Sequence, residues 1–114
     1  MPAVQKISCV NAGGYVMAFN VQAGNGFQSS STMRYPIGEE QVIDLSTADP
    51  PLPDGTQMWP DVEIVLGTDV DGTPSVTYAE NGQIAVYNCS GTSLDASCTL
   101  VRSDGETVSE EVRR

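Results

Sequence analysis

The sequence predicts an all-β domain, an antiparallel two-sheet β-sandwich of about seven or eight strands, Ig-like or jelly-roll-like. Three observations carry that expectation. Residues 75–101, SVTYAENGQIAVYNCSGTSLDASCTLV, alternate apolar and polar side chains around an Asn-Gly pair and two cysteines. Short β-rich runs recur elsewhere, with turn signals about every 8–12 residues. Eleven glycines and seven prolines in 114 residues punctuate those runs and favour turns and strands over helices. A chain of this length predicts one domain, placed over residues 1–102, with residues 103–114 as a charged tail or short last element.

Residues 4–22, VQKISCVNAGGYVMAFNVQ, read as a hairpin turning at Gly13-Gly14, with Val10 opposite Met17 and Ser8 opposite Phe19. Tyr15, Met17, Phe19 and Val21 then share a core face with Val10 and Ala12. Ala23-Gly24-Asn25-Gly26 is a turn, and the serine-rich run after Phe27 reads as an exposed or edge strand. Residues 40–45 and 62–66 supply the next strands, the second interior because Val62, Ile64 and Leu66 alternate with Glu63 and Val65.

Residues 46–61, STADPPLPDGTQMWPD, break the rhythm with four prolines, three aspartates and the only tryptophan. Connections longer than ~12–15 residues are uncommon in compact domains and are usually functional or disordered. Two placements are open for Trp59. It plugs one end of the core, or it presents its indole at a binding surface beside Asp54, Gln57 and Asp61. The polar turn residues Asn25, Gln28, Arg34 and Tyr35 would line a shallow pocket with them. Residues 67–73, GTDVDGT, read as an acidic turn. The alternative is calcium ligation by Asp69 and Asp71, although the later ligand positions of a calcium loop are not met.

The closing stretch is predicted as a three-strand meander. An Asn81-Gly82 type I′ turn sets Tyr78 opposite Ala85 and Val76 opposite Tyr87. Cys98 opposite Cys89 sets Tyr87 beside Leu100, so cysteine spacing and strand register agree on a disulfide. Eight intervening residues fit neither a CxxC redox motif nor a zinc knuckle. Cys9 is left over as a buried thiol. Asn88-Cys89-Ser90 satisfies the glycosylation triplet, a weak signal with its middle residue in a bridge.

Composition narrows function by exclusion. The chain contains no histidine, which removes Ser-His-Asp and Cys-His nucleophile pairs and the commonest neutral general base. No phosphate-binding glycine loop or dinucleotide fingerprint is present, so no catalytic residues are assigned. Net charge is −10, and Lys6, Arg34, Arg102, Arg113 and Arg114 form no basic cluster, which argues against nucleic acid and anionic lipid. No apolar run reaches the ~20 residues of a membrane-spanning helix. The disulfide predicts a secreted or extracellular protein, although the run from Met1 lacks a charged and apolar leader. The expected function is a non-catalytic recognition module binding carbohydrate, lectin-like, through loops at one end of the sandwich, with a glycan or cell-surface ligand as partner. One alternative is a self-associating structural or adhesion protein, a homo-oligomer built on edge strands. Another is a membrane-active β-sandwich toxin, which needs more exposed aromatics than the seven present allow.

Overall fold

The computed structural model describes residues 1–103, and these are all-β apart from a single 3-10 turn at Leu45–Thr47. The strands are β1 (Ala3–Val4), β2 (Lys6–Asn11), β3 (Met17–Ala23), β4 (Glu40–Asp44), β5 (Gln57–Ile64), β6 (Val70–Thr73), β7 (Val76–Tyr78), β8 (Ile84–Thr92) and β9 (Asp95–Arg102). The expected tail falls mostly on residues 104–114, outside the described residues.

The all-β expectation holds, but the sheet is neither wholly antiparallel nor divided into two separate layers. Its strand order is β1-β7-β5-β6-β9-β8-β2-β4, with β3 on the other edge of β5. β1 with β7, β2 with β8 and β6 with β9 are parallel pairs. The result is one mixed sheet curled into a half-barrel around the core. β6 makes this continuity. It pairs with β5 at Asp61↔Asp71 and Val62↔Val70, then passes to β9 at Gly72↔Cys98 and Thr73↔Thr99.

Neither predicted tight hairpin forms, and the reason is the same for both. Each turn carries the chain across the half-barrel instead of folding it back on itself. β2 leaves through Gly13-Gly14 and pairs with β4 and β8, whereas β3 pairs with β5. Gly14 N–H donates to the Gly91 carbonyl at 3.0 Å, and Gly13 lies against the Tyr15 ring. Likewise β7 pairs with β5 and β1, and β8 with β2 and β9. Gly82 has φ 75°, but Asn81 does not take the positive φ that a type I′ turn requires at both positions. Instead Asn81 Nδ2 donates to the Ala3 carbonyl at 3.0 Å and Gly82 N–H to Gln5 Oε1 at 2.9 Å, tying the turn to the N-terminal strands.

The β8–β9 half of the meander is as predicted. Cys89 faces Cys98 and Tyr87 faces Leu100. The disulfide closes this ladder with 4.0 Å between Cα atoms, worth about 2–3 kcal/mol in the chain-entropy account.

The core draws on both halves of the curl. Met17, Phe19, Val21, Met58, Val62 and Val76 meet Ile7, Cys9, Ala85 and Tyr87, all buried. On β2 the inward face is Ile7, Cys9 and Asn11, so the expected Val10 and Ala12 are half-buried and exposed. Asn11 is tolerated inside because its bonds are satisfied. Its Nδ2 donates to the carbonyls of Tyr15 at 2.8 Å and Tyr35 at 3.1 Å, and its Oδ1 accepts from Gly13 N–H at 3.0 Å.

Candidate functional site

The prolines of residues 46–61 do not keep that whole segment out of the sheet. β5 starts at Gln57, so the irregular connection ends just before it. A proline fits here because β5 alternates strictly. Met58, Pro60, Val62 and Ile64 turn inward, while Gln57, Trp59, Asp61 and Glu63 turn out. Trp59 therefore neither plugs an end of the core nor sits at a loop tip. It lies half-buried in the middle of the outer face.

The neighbouring strands complete that face. Across β3, Gln22 stands opposite Trp59, Asn20 opposite Asp61 and Ala18 opposite Glu63. Across β6, Asp71 stands opposite Asp61. Gln22 Nε2 donates to Asp61 Oδ2 at 2.9 Å, and Gln57 Nε2 donates to Ser75 Oγ at 2.8 Å, so two of the polar groups around the indole are already oriented. The Asp61 carboxyl is held above the usual carboxylate range. Burial is the first cause, the Asp71 carboxylate beside it the next, and Asp69 adds a smaller push against the opposing pull of Asn20. Apposing these groups costs stability at neutral pH, and the cost lifts as pH falls through the raised value.

Three of the eight predicted ligand residues, Gln57, Trp59 and Asp61, thus share one row. The other five lie outside it, with Asn25 exposed in the turn after β3 and Gln28 exposed in the segment that bridges to Gln22. Asp54 is exposed in the turn closed by Thr56 N–H on the Pro53 carbonyl at 3.2 Å. Arg34 is exposed beyond the far edge of β3. Tyr35 is in the core, 1% exposed, its hydroxyl donating to the Cys9 carbonyl at 2.7 Å, so it lines no surface pocket. Of the aspartates of GTDVDGT, Asp71 lies within β6 opposite Asp61, and Asp69 lies just before that strand. Gln22 and Asn20 were not legible as site residues, since only the pairing of β3 with β5 brings them beside Trp59 and Asp61.

A second concavity lies at the open seam of the half-barrel. Residues 27–35 run beside β3 without forming a regular ladder. Ser29 and Thr32 accept from the N–H groups of Val21 at 2.8 Å and Phe19 at 3.1 Å, hydroxyls standing in for carbonyls. Between this segment and edge strand β4 is a cleft of 560 Å³, lined by Phe27, Gln28, the serines, Gln41, Val42, Asp44, Thr47 and Asp49 among others. Burial raises the Asp44 carboxyl, but bonds from the Ser46 backbone and hydroxyl and from Gln5, with Lys6 nearby, bring it below its ordinary value. Among the described residues no helix is long and apolar enough to cross a membrane. No family model matches this chain, and no curated protein matches it.

Proposed function

We propose that the chain is a non-catalytic recognition module that binds carbohydrate by stacking a sugar ring on Trp59. The observation that carries this reading is the place of the indole. It is half-exposed at the centre of a sheet face, with Gln22 across from it and Gln57 and Asp61 two residues away on either side. Trp offers a large apolar plane with little conformational entropy to lose, which suits the C–H face of a pyranose. Amides and a carboxylate around it supply both donors and acceptors for ring hydroxyls. Two of these groups are held by hydrogen bonds before any ligand arrives, which lowers the ordering cost of binding. The sequence contributes the absence of histidine and of any phosphate-binding loop, and the Cys89–Cys98 bridge supports an oxidising, extracellular setting.

A broad glycan array followed by calorimetry on the best ligand tests the reading. Trp59→Ala is expected to weaken binding by about tenfold or more, equivalent to about 1.4 kcal/mol. Phe27→Ala, in the seam cleft, is expected to bind as the parent does. An array with no bound glycan, or equal affinity for the Trp59→Ala protein, would overturn it.

A further inference from the structure

We propose that the free edge of β4 takes up an extended basic peptide as an added antiparallel strand, in the open seam of the half-barrel. β4 ends the strand order, and only β2 pairs with it. Their ladder fixes which backbone groups are spent. Leu45 N–H donates to the Gln5 carbonyl and Asn11 N–H to the Glu39 carbonyl, both at 2.9 Å. By alternation Gln41 and Ile43 also bond toward β2, so the N–H and carbonyl groups of Glu40, Val42 and Asp44 point to the free side. Of these, the Asp44 carbonyl accepts from Thr47 Oγ1 at 3.0 Å. Among the described residues, Glu40 and Val42 make no backbone bond on that side. The 560 Å³ cleft runs along this edge, because the consecutive residues Gln41, Val42, Ile43 and Asp44 all line it. Strand addition to an exposed edge draws affinity from such main-chain groups and specificity from the side chains beside them.

The charges at the edge select the occupant. Glu40, Val42 and Asp44 share one side of β4, with Val42 48% exposed between the two carboxylates, and Asp49 also lines the cleft. No lysine or arginine lines the cleft among the described residues, and Lys6 stands opposite Asp44 on β2. A second copy pairing through β4 about Val42 would set Glu40 against Asp44 twice, and like charges directly opposite destabilise a pair. A five-residue strand with a basic residue at each end meets both carboxylates instead. Its second and fourth side chains fall on the inner side beside Gln41 and Ile43, where Ile43 and Phe27 pack against the core and favour apolar partners. The pattern read by the edge is therefore basic, apolar, any, apolar, basic. This site does not rest on the carbohydrate reading.

The probe is a synthetic peptide, Lys-Val-Thr-Val-Lys between glycine pairs, added to the intact protein and followed by calorimetry and by NMR of the β4 amides. Saturable binding that shifts the Glu40, Val42 and Asp44 amides is expected. Replacing both lysines by glutamates should weaken it about tenfold or more. Methylating the central threonine nitrogen, which donates to the Val42 carbonyl, should cost about tenfold or more, whereas methylating a valine nitrogen, which faces away from β4, should stay within about threefold. Val42→Pro removes only an edge donor, which an edge strand tolerates, and is expected to lose binding. Glu40→Lys should lower affinity for the lysine peptide and raise it for the glutamate one. Trp59→Ala should bind the peptide as the parent does. No binding, or equal affinity for the threonine-methylated and valine-methylated peptides, would overturn strand addition. Equal affinity for the lysine and glutamate peptides would overturn the basic occupant. A dimer in sedimentation that Val42→Pro abolishes, with no peptide bound, would give the edge to a second copy and overturn the proposal as well.

Discussion

Gly72 is where the curled sheet is most sensitive to one added carbon. It sits in the short strand that joins β5 to β9, directly opposite Cys98. A Cβ built there would stand 2.5 Å from Cγ and 2.9 Å from Cδ of Pro60, and 2.8 Å from Cδ2 of Tyr87. Carbon atoms pack favourably at about 3.5–4.0 Å, so both rings would have to retreat by roughly 1 Å. Neither is free to do so. Pro60 is part of the β5 backbone and its ring fixes φ. The Tyr87 hydroxyl donates to the Pro74 carbonyl at 2.6 Å, and the ring is fully buried. Overpacking of this kind costs about 1–3 kcal/mol, and two immobile neighbours place Gly72→Ala toward the top of that range. Reduced entropy of the unfolded chain returns about 0.4–1 kcal/mol. The net expectation is about 2 kcal/mol of destabilisation, a fall in Tm of about 8–15 °C for a domain this size. Thermal and urea unfolding measure it. Gly24→Ala is the control, since its nearest atom would be the Gln57 carbonyl oxygen at an ordinary 3.8 Å. A Gly72→Ala protein melting within about 2 °C of the parent would refute the close approach of β6 to Pro60 and Tyr87.

Two further outcomes follow from local chemistry. Cys9 is free and fully buried, and burial first, then the nearby Glu40 carboxylate, push its thiol well above the ordinary range. Native protein is therefore expected to show no titratable thiol, denatured unreduced protein one, and denatured reduced protein three; rapid native labelling would contradict the buried placement. Leu66 holds φ 60° in the β5–β6 turn while 94% exposed, a conformation asparagine adopts more readily. Leu66→Asn is expected to gain about 0.5–1 kcal/mol in urea unfolding, and a loss would show that the side chain contributes packing its exposure hides.

What was legible in the sequence was local, and what was not depended on which strands meet. Alternation placed Tyr15, Met17, Phe19 and Val21 on a buried face, and the cysteine spacing aligned β8 with β9, because both signals are carried within a few residues. Strand partners were misassigned at Gly13-Gly14 and Asn81-Gly82 because a turn signal says that the chain reverses, not which sheet edge receives it. The decisive contacts are long-range. Asn81 and Gly82 bond to Ala3 and Gln5, and Gly14 bonds to Gly91, across separations that no short-range pattern encodes. Parallel pairs such as β2 with β8 are the extreme case, since they join the first strands of the chain to nearly the last.

The same distinction governs the outer face. Gln57, Trp59 and Asp61 are spaced by two in the sequence, so their common side follows once the segment is strand rather than loop. The prolines obscured that assignment. Pro60 is admissible because its ring faces the core against Gly72, where the missing side chain leaves it room. Gly72 thus does two things at once. It lets β6 pass close over β5, and in doing so it brings Asp71 beside Asp61, on the same row as Asn20. The acidic row exists because the half-barrel needs a small residue at its crossing point. A larger residue at position 72 that unfolded nothing would still be expected to spread that row. Because the Asp71 carboxylate is part of what pushes the Asp61 carboxyl up, Asp61 should titrate lower in a tolerated Gly72 variant than in the parent. Its titration followed by NMR would report the crossing geometry directly.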